Sequence, residues 1–509
     1  MPLKLPIPAW VGALVPLALA VWMWAGLLVR DYVEIGPDEG MEMAKALLLA
    51  RAPEELGRAW TDQPWLYARV LAGLWQWSGG DWLAGRLFSG CLAGLWMLAL
   101  TRLLPRGSTG VHGLWAGLFL LSWPWFLPLG CSMMVELPWM SLATLALVPL
   151  AVGRRLNPGL CAVAAGLAGL AVSLKLVALM FFPAWMAALA YRESLLGEPR
   201  PPPTSVWFRL GLWMAVFVLV VGSLLPWGIQ GPDQGLIRSH WRSAQWLWQE
   251  AAGRFAFSPR FLLSAGATLL TAGVGAWLLL RAGRGREGWV VGLLVVVPAL
   301  VHWVHQPFWK FYLLHFAPGV AVLAGWGMGE VCLRVWRGLS TPASKAKPGC
   351  FLRSLMVGAA LLAGWLNWDF ARAVEVVRRI EGNPRRSESP LMEALQKVAP
   401  KVRYGYTRAP AFLAQANCLA LPELTILPRK RFWSGDITES RIREIIRERQ
   451  PEILLLREEG EVAEPAWQEI LTAFYVYILS DRGLRLYMHH RLKVSPSPGS
   501  LERLRELGQ

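Results

Sequence analysis

An acidic pair near the N-terminus has the residue types and the setting for proton-transfer chemistry. The segment Gly36-Pro37-Asp38-Glu39-Gly40 follows a long apolar run and precedes a helix-like segment. A carboxylate in a partly dehydrated setting is basic enough to remove the proton of a hydroxyl group. The alternative is that Asp38 caps the following helix and favours its positive N-terminal end. The sequence leaves both interpretations open.

Basic residues that could hold an anionic group lie on several connections of the chain. Lys175 lies at a turn between apolar stretches, where a lysine extending toward the membrane surface explains it equally well. Arg238, His240 and Arg242 share a connection with three tryptophans, which suits a sugar or phosphate cleft. An interfacial aromatic belt with exposed charges explains the same pattern. The sequence therefore predicts an anion-binding region without ranking these residues.

Patterns that bind metals are weak in this chain. His302 and His305 are three residues apart and would share one helix face, but no carboxylate or third histidine accompanies them. The six cysteines show no paired spacing, so they predict neither disulfides nor a zinc site. We assign no cofactor and no metal ligand from the sequence, and a divalent metal stays open.

The composition indicates that these residues belong to a membrane protein. Hydrophobic residues make up 55% of the chain and charged residues only 17%. The net charge of +16 falls mostly in short gaps between apolar runs, which indicates membrane topology rather than nucleic-acid binding. The uncharged run from Ala9 to Val29 is long enough to span about 30 Å of hydrocarbon. Because the apolar part of a signal peptide is only about 7 to 15 residues long, we predict a retained first helix.

Charge-poor stretches recur after this helix and bring the total to about eleven spanning helices. They lie at residues 84–103, 111–129, 137–153, 157–173, 176–191, 210–228, 260–280, 288–306, 311–333 and 354–370. Arginines fall on alternate connections, such as Arg102 with Arg106 and Arg281 with Arg284, which the positive-inside rule assigns to the cytoplasm. The outer side then receives the loops at about 30–83 and 229–259 and the C-terminal part, 371–509.

The outer side is predicted to carry the folded material. Segments 39–51 and 64–78 of the first outer loop are amphipathic, and we expect them to lie along the membrane interface. From about residue 385 the composition becomes that of a soluble domain. Thr438 opens a capped amphipathic helix that ends before Pro451, and strand candidates follow at 453–456 and 474–479. These elements predict a C-terminal extracytoplasmic α/β domain.

Several segments, in a fixed order, resemble the GT-C superfamily of membrane glycosyltransferases, especially bacterial relatives of protein O-mannosyltransferases and lipid A aminoarabinose transferases. The resemblance covers roughly residues 1–370. After the acidic pair, the matching segments are Thr61-Asp62-Gln63-Pro64-Trp65-Leu66-Tyr67, Val135-Glu136-Leu137-Pro138, Leu170-Ala-Val-Ser-Leu-Lys175-Leu and Lys310-Phe-Tyr312-Leu-Leu-His315-Phe-Ala-Pro318. The resemblance implies a polytopic α-helical fold in which residues 1–370 form a GT-C-like transmembrane module.

The same resemblance implies an activity and a set of site residues. It implies transfer of a sugar, with inversion, from a polyprenyl-phosphate carrier to a lipid, glycan or protein on the outer face of a bacterial inner membrane. Asp38 would be the general base, and Glu39 and Glu136 would be the other catalytic residues, beside it in an acidic cleft. Lys310 and Tyr312 would assist the carrier phosphate. The full set of substrate-binding candidates is Asp62, Gln63, Tyr67, Lys175, Arg238, His240, His305, Lys310 and Tyr312.

One departure from the family pattern keeps other functions open. Relatives commonly have lysine before the proline of the first loop, whereas this chain has Gln63. A transporter or flippase of lipid-linked sugars is one alternative, and a catalytically silent GT-C-like scaffold is another. The expected partners are membrane lipid, a lipid-linked sugar donor and an acceptor, and no nucleic acid.

Overall fold

Helices make up most of the chain up to residue 381, and a five-stranded sheet occupies the C-terminal part. The computed structural model describes residues 7–29, 31–151, 157–195, 203–228, 242, 244–247, 256–305, 307–340 and 348–492. The helices before the sheet are α1 Ala9–Val29, α2 Glu39–Arg51, α3 Leu66–Trp77, α4 Leu83–Arg102, α5 Gly110–Leu121, α6 Phe126–Gly130, α7 Glu136–Leu145, α8 Val148–Ala151, α9 Pro158–Leu174, α10 Phe182–Leu195, α11 Pro203–Gly228, α12 Gly266–Arg281, α13 Gly285–Val304, α14 Ala317–Ser340, α15 Pro348–Gly364 and α16 Ala371–Glu381.

The membrane-spanning pattern predicted from the charge-poor stretches is confirmed. Six helices in the described residues are long and apolar enough to cross a membrane, and five shorter apolar helices accompany them. These eleven segments follow the predicted stretches in order, from Ala9–Leu27 to Phe351–Glu381. The last one continues past residue 370 through a π-helical turn, Trp365–Phe370, into α16. The predicted module boundary at 370 therefore falls inside a continuous helical run.

The connections predicted to share a side of the membrane meet at the same end of the helices. Arg284 donates a hydrogen bond to the carbonyl of Arg106, so the connections before α5 and before α13 touch each other. Pro8, at the start of α1, bridges to Thr109 at this end. At the other end of α1, Tyr32 bridges to Arg385, just ahead of the sheet domain. Two of the connections predicted to lie on one side are therefore in contact, and they lie at the end of α1 opposite the sheet domain.

The C-terminal sheet has the order β2-β1-β3-β5-β4. Its strands are β1 Tyr404–Thr407, β2 Leu419–Ala420, β3 Ile453–Arg457, β4 Tyr475–Asp481 and β5 Leu484–His489. The strand β1 pairs in parallel with β2 and β3, whereas β5 pairs antiparallel with β3 and β4. The helices here are α17 Pro390–Val398, α18 Pro410–Gln415, α19 Arg429–Trp433, α20 Glu439–Arg449 and α21 Pro465–Phe474.

The predicted elements of this domain are confirmed. The side chain of Thr438 accepts a hydrogen bond from the backbone N–H of Arg441, so it caps α20 as the sequence indicated. The two strand candidates correspond to β3 and β4. The strand β3 is buried along its first four residues because helices cover both faces of the sheet, which explains its uninterrupted apolar sequence.

The first outer loop packs against the sheet domain. The indole N–H of Trp82 donates to the carbonyl of Ala414 over 3.1 Å. The amide of Gln415 donates to the carbonyl of Val33 over 3.1 Å. Most of α2 is buried, and α2 packs against α3 and α18. The expectation that segment 39–51 lies along the membrane interface is therefore wrong, because protein covers this helix.

A close backbone approach at Gly40 makes this packing sensitive to one methyl group. A Cβ atom at Gly40 would lie 2.5 Å from the backbone nitrogen of Ala411, which is shorter than any van der Waals contact. Because the obstacle is backbone, α2 and α18 must separate to accept a side chain. We expect Gly40→Ala to destabilise the protein by about 1–3 kcal/mol, measured by thermal unfolding in detergent. Gly73→Ala, on α3 with open space around the glycine, is the matched control, and equal melting temperatures for the two variants would contradict the prediction.

Candidate active site

Asp38 immediately precedes α2 at the end of the helices where the outer loop meets the sheet domain. It occupies the N-cap position of α2, but its side chain makes no capping hydrogen bond. The backbone N–H of Gly40, near the start of the helix, is instead bound by the carboxylate of Glu34 over 3.0 Å. Asp38 is surrounded by protein atoms, and its side chain remains partly exposed. The capping interpretation of Asp38 is therefore not supported.

The surroundings of Asp38 make it a stronger base than an ordinary aspartate. Burial raises the pKa of Asp38 to about 6, and the nearby charge of Glu136 adds to this rise. Lys175 and Lys430 act in the opposite direction, since their positive charges favour the ionised carboxylate. Desolvation raises the pKa of Asp38 by more than the two lysines lower it. Asp38 is thus ionised at neutral pH while remaining able to accept a proton.

Lys175 and Glu136 form a buried ion pair beside Asp38. Lys175 lies where α9 ends and its backbone becomes extended, and the 3-10 segment Leu176–Phe181 follows. Glu136 is the first residue of α7. The lysine ammonium donates to a Glu136 carboxylate oxygen, and both side chains are almost fully buried. The break between α9 and the 3-10 segment is what brings this lysine to the site.

Tyr312 lies beneath Lys175, within a layer of aromatic rings. The lysine ammonium is 5.5 Å from the centre of the Tyr312 ring. His302 and His315 stack on the same ring at 5.3 and 4.9 Å. The two histidines are also hydrogen bonded to each other over 2.8 Å. The sequence nominated His305, but the histidines that stack on Tyr312 are His302 and His315, while the ring of His305 lies 6.5 Å from that of His302.

Two further lysine–carboxylate pairs lie around Asp38. On α2, Lys45 Nζ and Glu42 Oε1 are 2.6 Å apart, and the helical repeat places both residues on the face that begins with Asp38. The second pair joins Asp62 of the first outer loop to Lys430 of α19, both buried. Sequence reasoning missed Lys430. It belongs to the run Arg429-Lys-Arg in the C-terminal domain, which nothing in the sequence distinguishes from an exposed basic turn.

Glu39, the neighbour of Asp38, has a different environment. Its carboxylate accepts hydrogen bonds from the backbone N–H groups of Ile35 at 2.6 Å and Met133 at 3.1 Å. Arg86 of α4 binds the same carboxylate through two nitrogens, at 2.9 and 3.1 Å. Glu39 is fully buried. This geometry favours a structural role for Glu39 over the catalytic role that the sequence suggested, because its oxygens already hold the loop and α4 together.

Glu34 is a third carboxylate near the pair, and it is neutral at physiological pH. Burial, assisted by the neighbouring charges of Glu39 and Asp38, raises the pKa of Glu34 to about 8. The hydrogen bond from the backbone of Gly40 opposes this rise. Because Glu34 keeps its proton at pH 7, it adds no negative charge beside Asp38.

The remaining predicted residues are either buried, at least partly exposed, or outside the described residues. Tyr67 is buried on α3, and burial raises the pKa of its hydroxyl, which therefore stays protonated as a hydrogen-bond donor. Gln63 is partly exposed in a turn where its backbone N–H donates to the Thr61 hydroxyl over 3.1 Å. Lys310 is exposed at the start of the 3-10 segment Lys310–Phe316. The last two candidates, Arg238 and His240, lie outside the described residues.

The second outer loop also reaches α19. Trp433 stacks on Trp246 at 5.6 Å between ring centres, with only 9° between the ring planes. Trp309 stacks on Trp433 as well, at 6.1 Å. Arg242 lies 3.9 Å from Asp436 just beyond the helix. The described part of this loop therefore meets the same C-terminal helix that carries Lys430.

A divalent metal does not suit the acidic side chains around Asp38. Within the ranges that the structure describes, no group of three or more His, Cys, Asp and Glu side chains could hold a metal ion. Glu42, Asp62 and Glu136 are each paired with a lysine, which competes with any cation for the carboxylate oxygens.

Comparison with known proteins shows the class of fold. No family model and no curated protein matches the chain. Among solved structures, ArnT from Cupriavidus metallidurans bound to undecaprenyl phosphate matches with a TM-score of 0.57 and 14% identity, over 93% of this chain and 97% of ArnT. The apo oligosaccharyltransferase of Archaeoglobus fulgidus matches with a TM-score of 0.58 and 11% identity, over 94% of this chain and 75% of that one.

A second structure of the archaeal enzyme, AglB in complex with an inhibitory peptide and a dolichol-phosphate, matches with a TM-score of 0.56 and 10% identity, over 95% of this chain and 74% of AglB. ArnT and AglB are both GT-C proteins, and the matches include the C-terminal part of this chain. The chain therefore has the GT-C fold, as its ordered sequence segments indicated.

Proposed function

We propose that this protein is an inverting glycosyltransferase that moves a sugar from a polyprenyl-phosphate donor to a lipid, glycan or protein acceptor. The reaction would take place on the outer face of a bacterial inner membrane, where the C-terminal part, 371–509, would also lie. The observation that carries the proposal is Asp38, a partly exposed carboxylate with no capping bond and a raised pKa, within electrostatic range of two buried lysines, Lys175 and Lys430. ArnT, of the same fold, was solved with undecaprenyl phosphate, which is the carrier part of such a donor.

The chemistry requires one base and a stabilised leaving group. The acceptor oxygen attacks the anomeric carbon from the side opposite the phosphate, and the bond from that carbon to the phosphate oxygen breaks. Asp38 takes the acceptor proton as the new glycosidic bond forms. The polyprenyl phosphate leaves as an anion and needs positive charge rather than a proton. Lys175, held by Glu136 and Tyr312, can supply that charge.

Mass spectrometry of the cell envelope tests this function and separates it from the alternatives. Envelope glycans and glycoproteins are compared between cells that carry the wild-type chain, cells that lack it, and cells that carry Asp38→Asn. A transferase predicts a hexose or pentose that is present only with the wild type. A flippase would move lipid-linked sugar without depending on this base, and a silent scaffold would leave the sugar in place in Asp38→Asn. Equal glycan profiles in all three strains would contradict the proposal.

The raised pKa of Asp38 sets the expected pH dependence of transfer. Only the ionised carboxylate accepts a proton, so kcat/KM should be level above neutrality and fall about tenfold per pH unit below pH 6. Lys175→Gln removes a charge that favours ionisation, so its acid limb should move to higher pH. The measurement is the pH profile of transfer in detergent for both forms. An acid limb near pH 4, the range of an ordinary aspartate, would contradict the assigned environment.

A further inference from the structure

The C-terminal domain inserts a lysine into the candidate site. Lys430 of α19 is only 8% exposed, and its ammonium forms an ion pair with Asp62, which is 5% exposed. Lysines are almost never this buried unless they are paired, and even a paired one gives up much of its hydration. Replacing such a pair by apolar residues is often neutral or stabilising. A buried lysine pair is therefore weak evidence for a purely structural role.

Lys430 faces the reaction centre rather than the interior of its own domain. Its charge is close enough to lower the pKa of Asp38. It also lies within electrostatic range of Lys45 on α2. On the outer-loop side its partner Asp62 is followed by the uncharged Gln63. Lys430 thus adds a positive charge beside Asp62, where the next residue of the loop, Gln63, is uncharged.

Other residues hold α19 in place, so its docking does not depend on Lys430. Arg431 donates to the backbone carbonyls of Glu423 at 2.8 Å and Ile426 at 3.0 Å. The guanidinium of Arg431 also lies over the ring of Trp60 at 5.3 Å. At the end of the helix, Trp433 stacks between two other tryptophans. The ammonium of Lys430 has three donors, and among the described residues it forms one ion pair, with Asp62, so it can bind an additional anion.

We propose that Lys430 binds the phosphate of the lipid-linked donor, and that the C-terminal domain thereby completes the donor site. This inference rests on the proposed function. In it, Asp62 orients the lysine, and two lysines from different parts of the chain, Lys175 and Lys430, contact the phosphate while Asp38 faces the acceptor. The active site is then incomplete without the C-terminal domain.

Binding of undecaprenyl phosphate to the purified full-length protein in detergent tests the proposal. The informative pair is Asp62→Asn against Asp62→Asn/Lys430→Gln, because both variants lack the carboxylate and differ only in the lysine charge. We expect the double variant to bind undecaprenyl phosphate at least about tenfold more weakly than Asp62→Asn, because only the charge of Lys430 distinguishes the two. Lys397→Gln removes an exposed lysine of the same domain and should match the wild type.

A third variant moves the positive charge to the neighbouring loop position. Adding Gln63→Lys to the double variant should restore most of the lost affinity, because it returns a cation beside residue 62. Equal affinity of the single and double variants, or a triple variant that binds no better than the double, would overturn the role of Lys430. A wild-type protein that binds no undecaprenyl phosphate would instead count against the proposed function itself.

Discussion

Replacing Asp38 with Asn is expected to reduce transfer by a factor of about 100 to 10,000 while the protein stays folded. The amide cannot accept the acceptor proton, whereas its size and shape match those of the acid. Because Asp38 makes no capping bond, the substitution removes no hydrogen bond that holds α2. The measurement is the turnover of a polyprenyl-phosphate sugar by the purified protein at pH 7.5.

The stability of Asp38→Asn provides a second readout. The folded protein binds a proton on Asp38 more tightly than the unfolded chain does, so stability falls as the pH rises from about 4 to about 6, and the full cost of the ionised carboxylate is present above pH 6. Removing that charge should leave the melting temperature unchanged or raise it. Asp31→Asn is the matched control, since Asp31 lies in the same loop in a half-exposed pair with Arg386, and asparagine tolerates its positive φ of 53°. Transfer by Asp38→Asn at the wild-type rate would remove this residue from the mechanism.

Glu39→Gln is expected to produce the opposite result, a large loss of stability. Arg86 would keep a buried charge without its carboxylate partner, and removing one partner of a buried pair costs about 3–5 kcal/mol. The measurement is the free energy of unfolding from denaturant titration in detergent. Glu393→Gln is the control, because its ion pair with Lys397 is mostly exposed and water screens the attraction between the two charges.

Activity separates the structural role of Glu39 from a catalytic one. At a temperature where Glu39→Gln is still folded, we expect transfer to continue, because the carboxylate is bound to Arg86 and two backbone groups. A variant with wild-type stability and no transfer would show that Glu39 acts in the chemistry. Replacing Asp38 should therefore reduce turnover, whereas replacing the adjacent Glu39 should reduce stability.

The membrane architecture could be predicted from the sequence because it depends on local composition. A run without charges predicts a spanning helix wherever it occurs in the chain. The strand Ile453–Arg457 and the capped helix after Thr438 could also be predicted, because each depends on a few neighbouring residues. The burial of α2 was not predictable in this way, since its amphipathic pattern does not reveal whether lipid or protein covers its apolar face.

The site was predicted only in part because its charges are paired over long distances in the chain. Adjacent acids such as Asp38 and Glu39 look alike in the sequence, and only the contacts of Arg86 and Met133 with Glu39 distinguish them. Lys175 was one candidate cation among several until its pairing with Glu136 was known. Nothing in the sequence indicated that Lys430 belongs to the site, because its burial depends on how the C-terminal domain packs against the first outer loop.

The most direct test of the glycosyltransferase proposal is the stereochemistry of one turnover. The purified protein is incubated with a polyprenyl-phosphate-linked sugar and an envelope acceptor, and NMR records the anomeric configuration of the product. The mechanism predicts release of free polyprenyl phosphate and a glycoside of inverted configuration, both lost in Asp38→Asn. A product of retained configuration, or lipid-linked sugar that is consumed equally by the wild type and Asp38→Asn, would contradict it.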